Sequence, residues 1–393
     1  VPDDLPLQGT VVVAVEQAVA APLATRHLAD LGARIIKVER LDGGDFARSY
    51  DNTVNGLSAY FVWANRSKES ITLDITDERG REVLASLIAG ADVFIQNLAP
   101  ASARRLAIDA ATLSGRHQGL VACEISGFGS GGPMSDRKAY DLLLQAEAGF
   151  LEITGTPGER VKAGISIADI AAGMYAYSSI LGALVRRSRT GRGCAIEVSM
   201  LEALGEWMSM PLYYGRYSGT APRRTGATHA TIAPYGPFRA TDGQVLLAIQ
   251  HEREWHRLCS EVLDHAELAD DERFASNSAR VVNRPELHAV MDAVFAALTV
   301  EEAVARLDRA GIAFARVNSL DDVWDHPQLR ARDRFVTIGS PAGPIEVLRP
   351  PAEPPGGAFL GPVPELGEHT ATVLASLGLS TQVVNELRMA DVV

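Results

Sequence analysis

Short apolar runs at residues 11–15, 34–38, 71–75, 92–96 and 120–126, separated by amphipathic stretches, constrain this chain more than any other feature. Runs of that length without polar alternation read as strands buried on both faces. With helices near 22–31 and 77–89 and another from about 101, they form strand–helix–strand units. Crossovers of that kind build a mostly parallel sheet with helices against its faces. The fold class expected is α/β, with this sheet in a large domain.

A chain of 393 residues exceeds what one core usually supports, so a second domain is expected. Residues 1–210 form the first part of the large domain, including a helix over about 140–153, the turn-rich T-G-T-P-G-E-R at 154–160 and a long helix following Asp169. That helix ends in R-R-S-R-T-G-R-G, the cationic, glycine-terminated finish a helix C-terminus favours. Residues 211–229, rich in Gly, Pro, Tyr and Arg, read as a linker, and 230–316 as a smaller α/β domain. Residues 317–363, containing R-P-P-A-E-P-P-G-G, read as a second long linker, after which 364–393 return to the large domain.

The formal charge of −12 excludes a broad nucleic-acid or anionic-membrane surface, though not a local basic pocket. Cys123, Cys194 and Cys259 have no metal-ligand spacing and read as free thiols. His251 and His256 are five apart, no HExxH occurs, and no metal is expected. The start V-P-D-D-L-P-L-Q has no signal-peptide pattern, and no apolar stretch reaches the roughly 18 residues of a membrane span. A cytoplasmic, soluble protein is the expectation.

Gly127, Gly129 and Gly132 satisfy G-x-G-x-x-G after the fifth strand, but Pro133 and S-D-R-K follow where a helix should open. A mobile ligand-edge loop is favoured over an NAD site. Asp169, in K-A-G-I-S-I-A-D-I-A-A-G, has two readings. One is a helix N-cap. The other is a carboxylate nucleophile kept ionised by the helix N-terminus, which needs no general base. Gln17, Arg40, Asn65, Arg66 and Lys68 fall near strand ends; each alone reads as a surface residue, and together at one edge they could receive a phosphorylated ligand.

The chain resembles the class III CoA-transferases of the CaiB/BaiF type along nearly its whole length. The likeness is carried by V-E-Q-A-V-A-A-P (15–22), G-A-R-I-I-K-V-E-R-L-D-G-G-D (32–45), N-R-S-K-E-S-I-T-L-D (65–74) and S-G-F-G-S-G-G-P (126–133). It continues through A-Y-D (139–141), the Asp169 segment, G-R-G-C-A-I-E-V-S-M-L-E (191–202) and P-E-L-G-E-H-T (364–370). The resemblance implies a Rossmann-like large domain that takes CoA rather than a nicotinamide, and an interlocked homodimer threaded by the two linkers. It implies Asp169 as acyl acceptor, Gln17 beside the reacting carbonyl, Arg40, Lys68 and Lys138 as CoA contacts, and Tyr140 and Asp141 beside the pocket. No prosthetic group is implied; acyl-CoA and a carboxylic acid are the substrates.

Two motifs depart from the family pattern. N-L-A-P-A at 97–101 stands where N-F-x-P-G is usual, leaving Asn97 and Arg104 as the CoA contacts of that turn, and A-I-Q-H-E-R-E-W at 248–255 replaces the glycine run of the formyl-CoA branch, against oxalate as acceptor. Tyr140 occupies the position of the base in α-methylacyl-CoA racemase, against that alternative. The run W-M-S-M-P-L-Y-Y at 207–214 resembles members handling small dicarboxylates. Transfer between two acids, or between two carboxylates of one acid, remain open, as does a silent acyl-CoA binder.

Overall fold

In the computed structural model, which describes residues 4–393, the apolar runs pair side by side in one sheet. Its strands are β1 (Val11–Val15), β2 (Arg34–Glu39), β3 (Lys68–Thr72), β4 (Val93–Gln96), β5 (Val121–Ser126) and β6 (Cys194–Ser199). All are parallel, in the order 3-2-1-4-5-6. Alternate residues supply two cores. Val12, Ala14, Ile35, Ile95 and Cys123 face one helical layer, whereas Val13, Val15, Ile36, Phe94 and Ala122 face the other. Burial on both faces explains the unbroken apolar runs, each large aliphatic contributing about 1.5–3 kcal/mol.

The chain first builds outward from β1 to β3 and then returns to place β4 on the other side of β1. Connections leave the C-terminal ends of β1 and β4 in opposite directions, opening the crevice where sheets of this order bind ligands. Helix α1 (Ala20–Asp30) follows β1 directly. It is crossed by a 24-residue helix, Ile167–Thr190, whose small face of Ala168, Ala171, Ala172, Gly173 and Ala176 is buried. A Cβ on Gly173 would stand 2.6 Å from the Ala20 carbonyl, so glycine is what lets the two backbones approach. The long helix stops at Gly191, which adopts φ +68° and returns its N–H to the Arg187 carbonyl.

By length and composition that helix could cross a membrane, a candidate the sequence reading lacked. Its buried alanine face packs with α1 on the sheet core, which accounts for its apolar character.

Among the described residues two compact units emerge, one of 4–150, 163–210 and 333–393, the other of 151–162 and 211–332. The second unit has an antiparallel sheet of Tyr235–Arg239, Gln244–Ala248 and Ala313–Arg316. Its core is built on Phe238, Trp255, Leu287, Met291 and Phe295.

Both segments read as irregular linkers hold regular structure. Ser209–Ser218 is helical, because Pro211 falls in the first turn, where its missing N–H is not needed. Residues 320–324 and 327–331 are helical, and Phe335–Ile338 pairs with Ile345–Leu348 as a hairpin. The helix expected over 140–153 is broken at Gly149 (φ +77°) into Asp141–Glu147, here α2, and Phe150–Ile153.

Candidate active site

The long helix, here α3, begins at Ile167 with Ser166 as its N-cap, so Asp169 lies in the first turn rather than at the cap. The capping reading of Asp169 is thereby overturned. The cap is supplied from α2: Asp141 Oδ1 accepts from the N–H groups of Ala168 (2.7 Å) and Asp169 (3.3 Å). Gln145, one turn along α2, fixes Asp141 by donating from Nε2 to its Oδ2 (2.6 Å), while its Oε1 accepts from Ala163 N–H (2.9 Å). Asp169 is placed; its own carboxylate accepts no hydrogen bond among the described residues.

Burial first, and the like charge of Asp141 second, push the Asp169 carboxyl up from 3.8 to about 7. The expectation that the helix N-terminus would hold it fully ionised is corrected for the same reason. The terminal N–H groups are already spent on a carboxylate. Gly173, one turn further along α3, touches α1 at Ala20, so Asp169 emerges beside the N-terminal end of α1, three residues beyond Gln17. Tyr50 lies within electrostatic reach: burial, then Asp45 and Asp169, raise its hydroxyl.

Gln17 occupies the switch point between β1 and β4. Asn97, just past β4, clamps its backbone with both amide atoms: Gln17 N–H donates to Oδ1 (3.0 Å) and Nδ2 donates to the Gln17 carbonyl (2.8 Å). Asn97 therefore holds the Gln17 turn and has both amide atoms engaged there. A cavity of about 640 Å³ opens at this edge, lined by Val15, Gln17, Arg40, Leu73 and Leu98 together with Asp42, Asp74 and Asp391. Arg40 is exposed at its rim, stacked on Phe46 (4.6 Å) and bonded to the Gly44 carbonyl (3.0 Å).

The proposed gathering of cations at one edge does not occur. The backbones of Asn65, Arg66 and Lys68 stand at the start of β3, the opposite end of a parallel sheet from Gln17 and Arg40, and only the Lys68 side chain reaches back, to Glu16 beneath the Gln17 turn. Lys68 is buried, its ammonium donating to Glu16 Oε1 (2.7 Å), the Pro22 carbonyl (2.9 Å) and Asn65 Oδ1 (2.9 Å), so it has no free face for CoA. Arg66 is likewise buried on Asp30. A lysine that opens a strand reads as surface in sequence, because nothing local reveals the carboxylate that buries it.

Arg104 is exposed and paired with Asp136 (2.6 Å), while Lys138 and Tyr140 are both exposed. Among the described residues no cluster suited to a metal occurs. The glycine loop runs past Pro133 through turns before α2 begins at Asp141, so no helix N-terminus receives a pyrophosphate there. Instead, Ser130 bonds Glu197 of β6 through its N–H and its hydroxyl.

A family model described as CoA-transferase family III matches residues 7–370. The chain belongs to this family. As a family III CoA-transferase it is an enzyme with an acyl-CoA as substrate. Succinate–glutarate CoA-transferase of Agrobacterium fabrum is 32% identical over 95% of this chain and 96% of its own length. Acetyl-CoA:oxalate CoA-transferase of Acetobacter aceti is 32% identical over 94% and 95% respectively. The crystal structure of a CAIB/BAIF family protein from Brucella suis superposes with a TM-score of 0.86 at 34% identity, covering 95% of this chain and all (100%) of that one.

In this family III CoA-transferase two residues escaped the sequence reading. Gln145 carries no motif of its own, although its i, i+4 spacing from Asp141 was a usable signal. Asp45 and its partner Lys37 both lie within the G-A-R-I-I-K-V-E-R-L-D-G-G-D run, but the Ala18 N–H that Asp45 holds is 27 residues away.

Proposed function

We propose that this enzyme moves CoA from an acyl-CoA to a carboxylic acid with Asp169 as the covalent carrier. The observation that supports this reading is a half-buried carboxylate with no hydrogen-bond partner among the described residues, in the first turn of a helix held by another residue's cap. The Asp169 carboxylate attacks the thioester carbonyl, the tetrahedral oxyanion collapses, and the CoA thiolate leaves a mixed anhydride. The thiolate then attacks the aspartyl carbonyl, releasing the donor acid as its carboxylate and forming an aspartyl-CoA thioester. The acceptor carboxylate displaces the thiolate again, and attack of that thiolate on the acceptor's carbonyl gives the new acyl-CoA and restores Asp169. No step consumes a proton.

Gln17 is assigned to the reacting carbonyl and Arg40, Arg104 and Lys138 to the phosphates of CoA in the Rossmann-like unit; Lys68, being enclosed, is left out. Tyr140 borders the acyl group. Small dicarboxylates are the acids proposed, in keeping with the name of the Agrobacterium relative, while the Acetobacter relative keeps oxalate in the acceptor screen. Exposed Trp207, Met210, Tyr213 and Tyr217 support a homodimer, the form in which two chains would interlock.

Intact-protein mass spectrometry after incubation with succinyl-CoA tests the carrier. An adduct that maps to Asp169 and is released by hydroxylamine is expected. Unimpaired exchange of labelled CoA between acids in Asp169→Ala would sink the reading. Deuterium uptake at the α-carbon of a 2-methylacyl-CoA would favour the racemase instead.

A further inference from the structure

Beneath the Gln17 turn lies a buried ionic network whose carboxylates Glu16, Glu39 and Asp45 also border the switch-point cavity. Glu16, Glu39 and Asp45 are set against Lys37, Lys68 and Arg48, three charges of each sign, joined by pairs at 2.7 Å (Lys37–Asp45, Lys68–Glu16, Arg48–Glu39) and 3.4 Å (Lys37–Glu16). The side chains of Glu16, Lys37, Glu39 and Lys68 are wholly enclosed. Taking such groups out of water is expensive, and apolar residues of similar volume would often be as stable. What the network does locally is therefore informative.

Its outlet is Asp45. Oδ2 of this carboxylate meets the Lys37 ammonium, while Oδ1 accepts from two backbone groups, Ala18 N–H (2.8 Å) and Ala47 N–H (2.9 Å). Asp45 is itself oriented, its own N–H donating to Glu39 Oε2 (3.0 Å). Ala18 adopts φ +62°, a left-handed conformation that a residue with a Cβ resists. Glycine would adopt it freely. The residue before it, Gln17, has both backbone groups clamped by Asn97 and lines the switch-point cavity. The turn is thus gripped from two sides: from β4 by an amide and from the β2 loop by a carboxylate anchored on buried lysine.

We propose that Asp45 is a positioning residue for CoA transfer, holding Ala18 in its left-handed conformation so that the Gln17 turn keeps one geometry at the switch-point cavity. This rests on the assignment of Gln17 to the reacting carbonyl. Alanine at position 18 adds to the device: it limits the backbone to few conformations, and the Asp45 hydrogen bond selects the left-handed one. A turn that drifts by about an ångström forfeits on the order of tenfold to a hundredfold in rate.

Three full-length variants test it by steady-state CoA transfer and thermal unfolding. Ala18→Gly relieves the backbone and frees the turn, so it should leave the melting temperature unchanged or higher while kcat falls by roughly tenfold and KM for the acyl-CoA holds. Stability and turnover moving apart is a result that a purely structural role for the turn does not give. Asp45→Asn keeps an acceptor oxygen but loses the charge on Lys37, and should lower kcat in the folded fraction as well as the melting temperature. Gln17→Ala separates the two readings. If it lowers kcat while neither Ala18→Gly nor folded Asp45→Asn does, positioning by Asp45 is wrong and the role of Gln17 stands. If Gln17→Ala also leaves kcat unchanged, the assignment of Gln17 falls and takes the positioning role with it. Should Asp45→Asn fail to fold, Asp45→Ser, which also lacks the charge, takes its place in that comparison.

Discussion

Two acids of the same structural unit, Glu39 buried and Asp169 half-buried, have opposite fates. Glu39, at the end of β2, receives two hydrogen bonds from Arg48, one from the Ser70 hydroxyl and one from Asp45 N–H, and although burial alone would raise its carboxyl, Arg48 and Lys37 bring it down to about 2. Asp169 accepts no hydrogen bond among the described residues, and burial with Asp141 lifts it to about 7. A carboxylate whose lone pairs are all engaged is architecture; one that is desolvated and unpaired is held at a cost to stability and kept available for chemistry. Burial raises both, and the neighbours decide the outcome: Glu39, the deeper of the two, is brought down by Arg48 and Lys37, whereas Asp169 has no such partner among the described residues.

The largest effect that would break this contrast concerns Asp169. Its replacement by Ala should lower CoA transfer by roughly a thousandfold or more, while calorimetry finds the fold as stable as before or more so. The sign follows from the raised carboxyl. Between its ordinary value of 3.8 and about 7 the folded state holds a proton the unfolded state has lost, so rising pH costs the wild type stability across that window. Asp169→Asn lacks the penalty, and a variant that melts well below the wild type at pH 8 would remove Asp169 from the unpaired class.

Glu39→Gln should do the reverse, costing about 3–5 kcal/mol in urea unfolding by leaving Arg48 without its charge partner. Because the folded carboxyl lies below its ordinary 4.5, at about 2, its stabilisation is complete above pH 4.5 and disappears as pH falls through about 2. The wild type should therefore lose stability more steeply than Glu39→Gln in that acid window. Parallel acid-unfolding curves would show that the pairing contributes nothing.

Gly173→Ala probes the packing that aims Asp169. The new Cβ would meet the Ala20 carbonyl at 2.6 Å, so α3 must shift away from α1 at a cost of about 1–3 kcal/mol, and transfer should fall together with stability. The smallest effect is on pH dependence. With an ionised nucleophile required, kcat/KM should rise with pH to a plateau beyond about 7. In Asp141→Asn the cap oxygen remains while the like charge is gone, and the rise should move toward acid. A rise that stays in place would leave burial as the whole cause.

Much of this organisation was legible along the chain. The runs of β1, β2, β4 and β5, the glycine-stopped α3 and the prominence of Asp169 and Gln17 follow from patterns local to a few residues or from motifs, whereas β3 begins at Lys68, three residues before the run at 71–75. The interior of both presumed linkers was not legible, because Pro211 and the glycines that read as breakers sit at a helix start and in turns, where they are compatible with order. Nor was the placement of Lys68, assigned to the ligand edge although its strand begins at the opposite one.

By itself, then, the sequence determined the period and order of the strands, the family, and which acid lies among small residues near the start of the long helix. These depend on side-chain type at short spacing, which periodicity records. Only the tertiary structure decided which charges are satisfied. Asp141 caps the helix of Asp169 across 27 residues for Ala168 and 28 for Asp169, Lys68 neutralises Glu16 across 52, and Asp45 reaches Ala18 across 27. Electrostatic character in a protein interior is set by what lies within a few ångströms in space. For that reason two carboxylates that look alike in sequence end differently, Glu39 as a fully bonded strut and Asp169 desolvated and unpaired among the described residues.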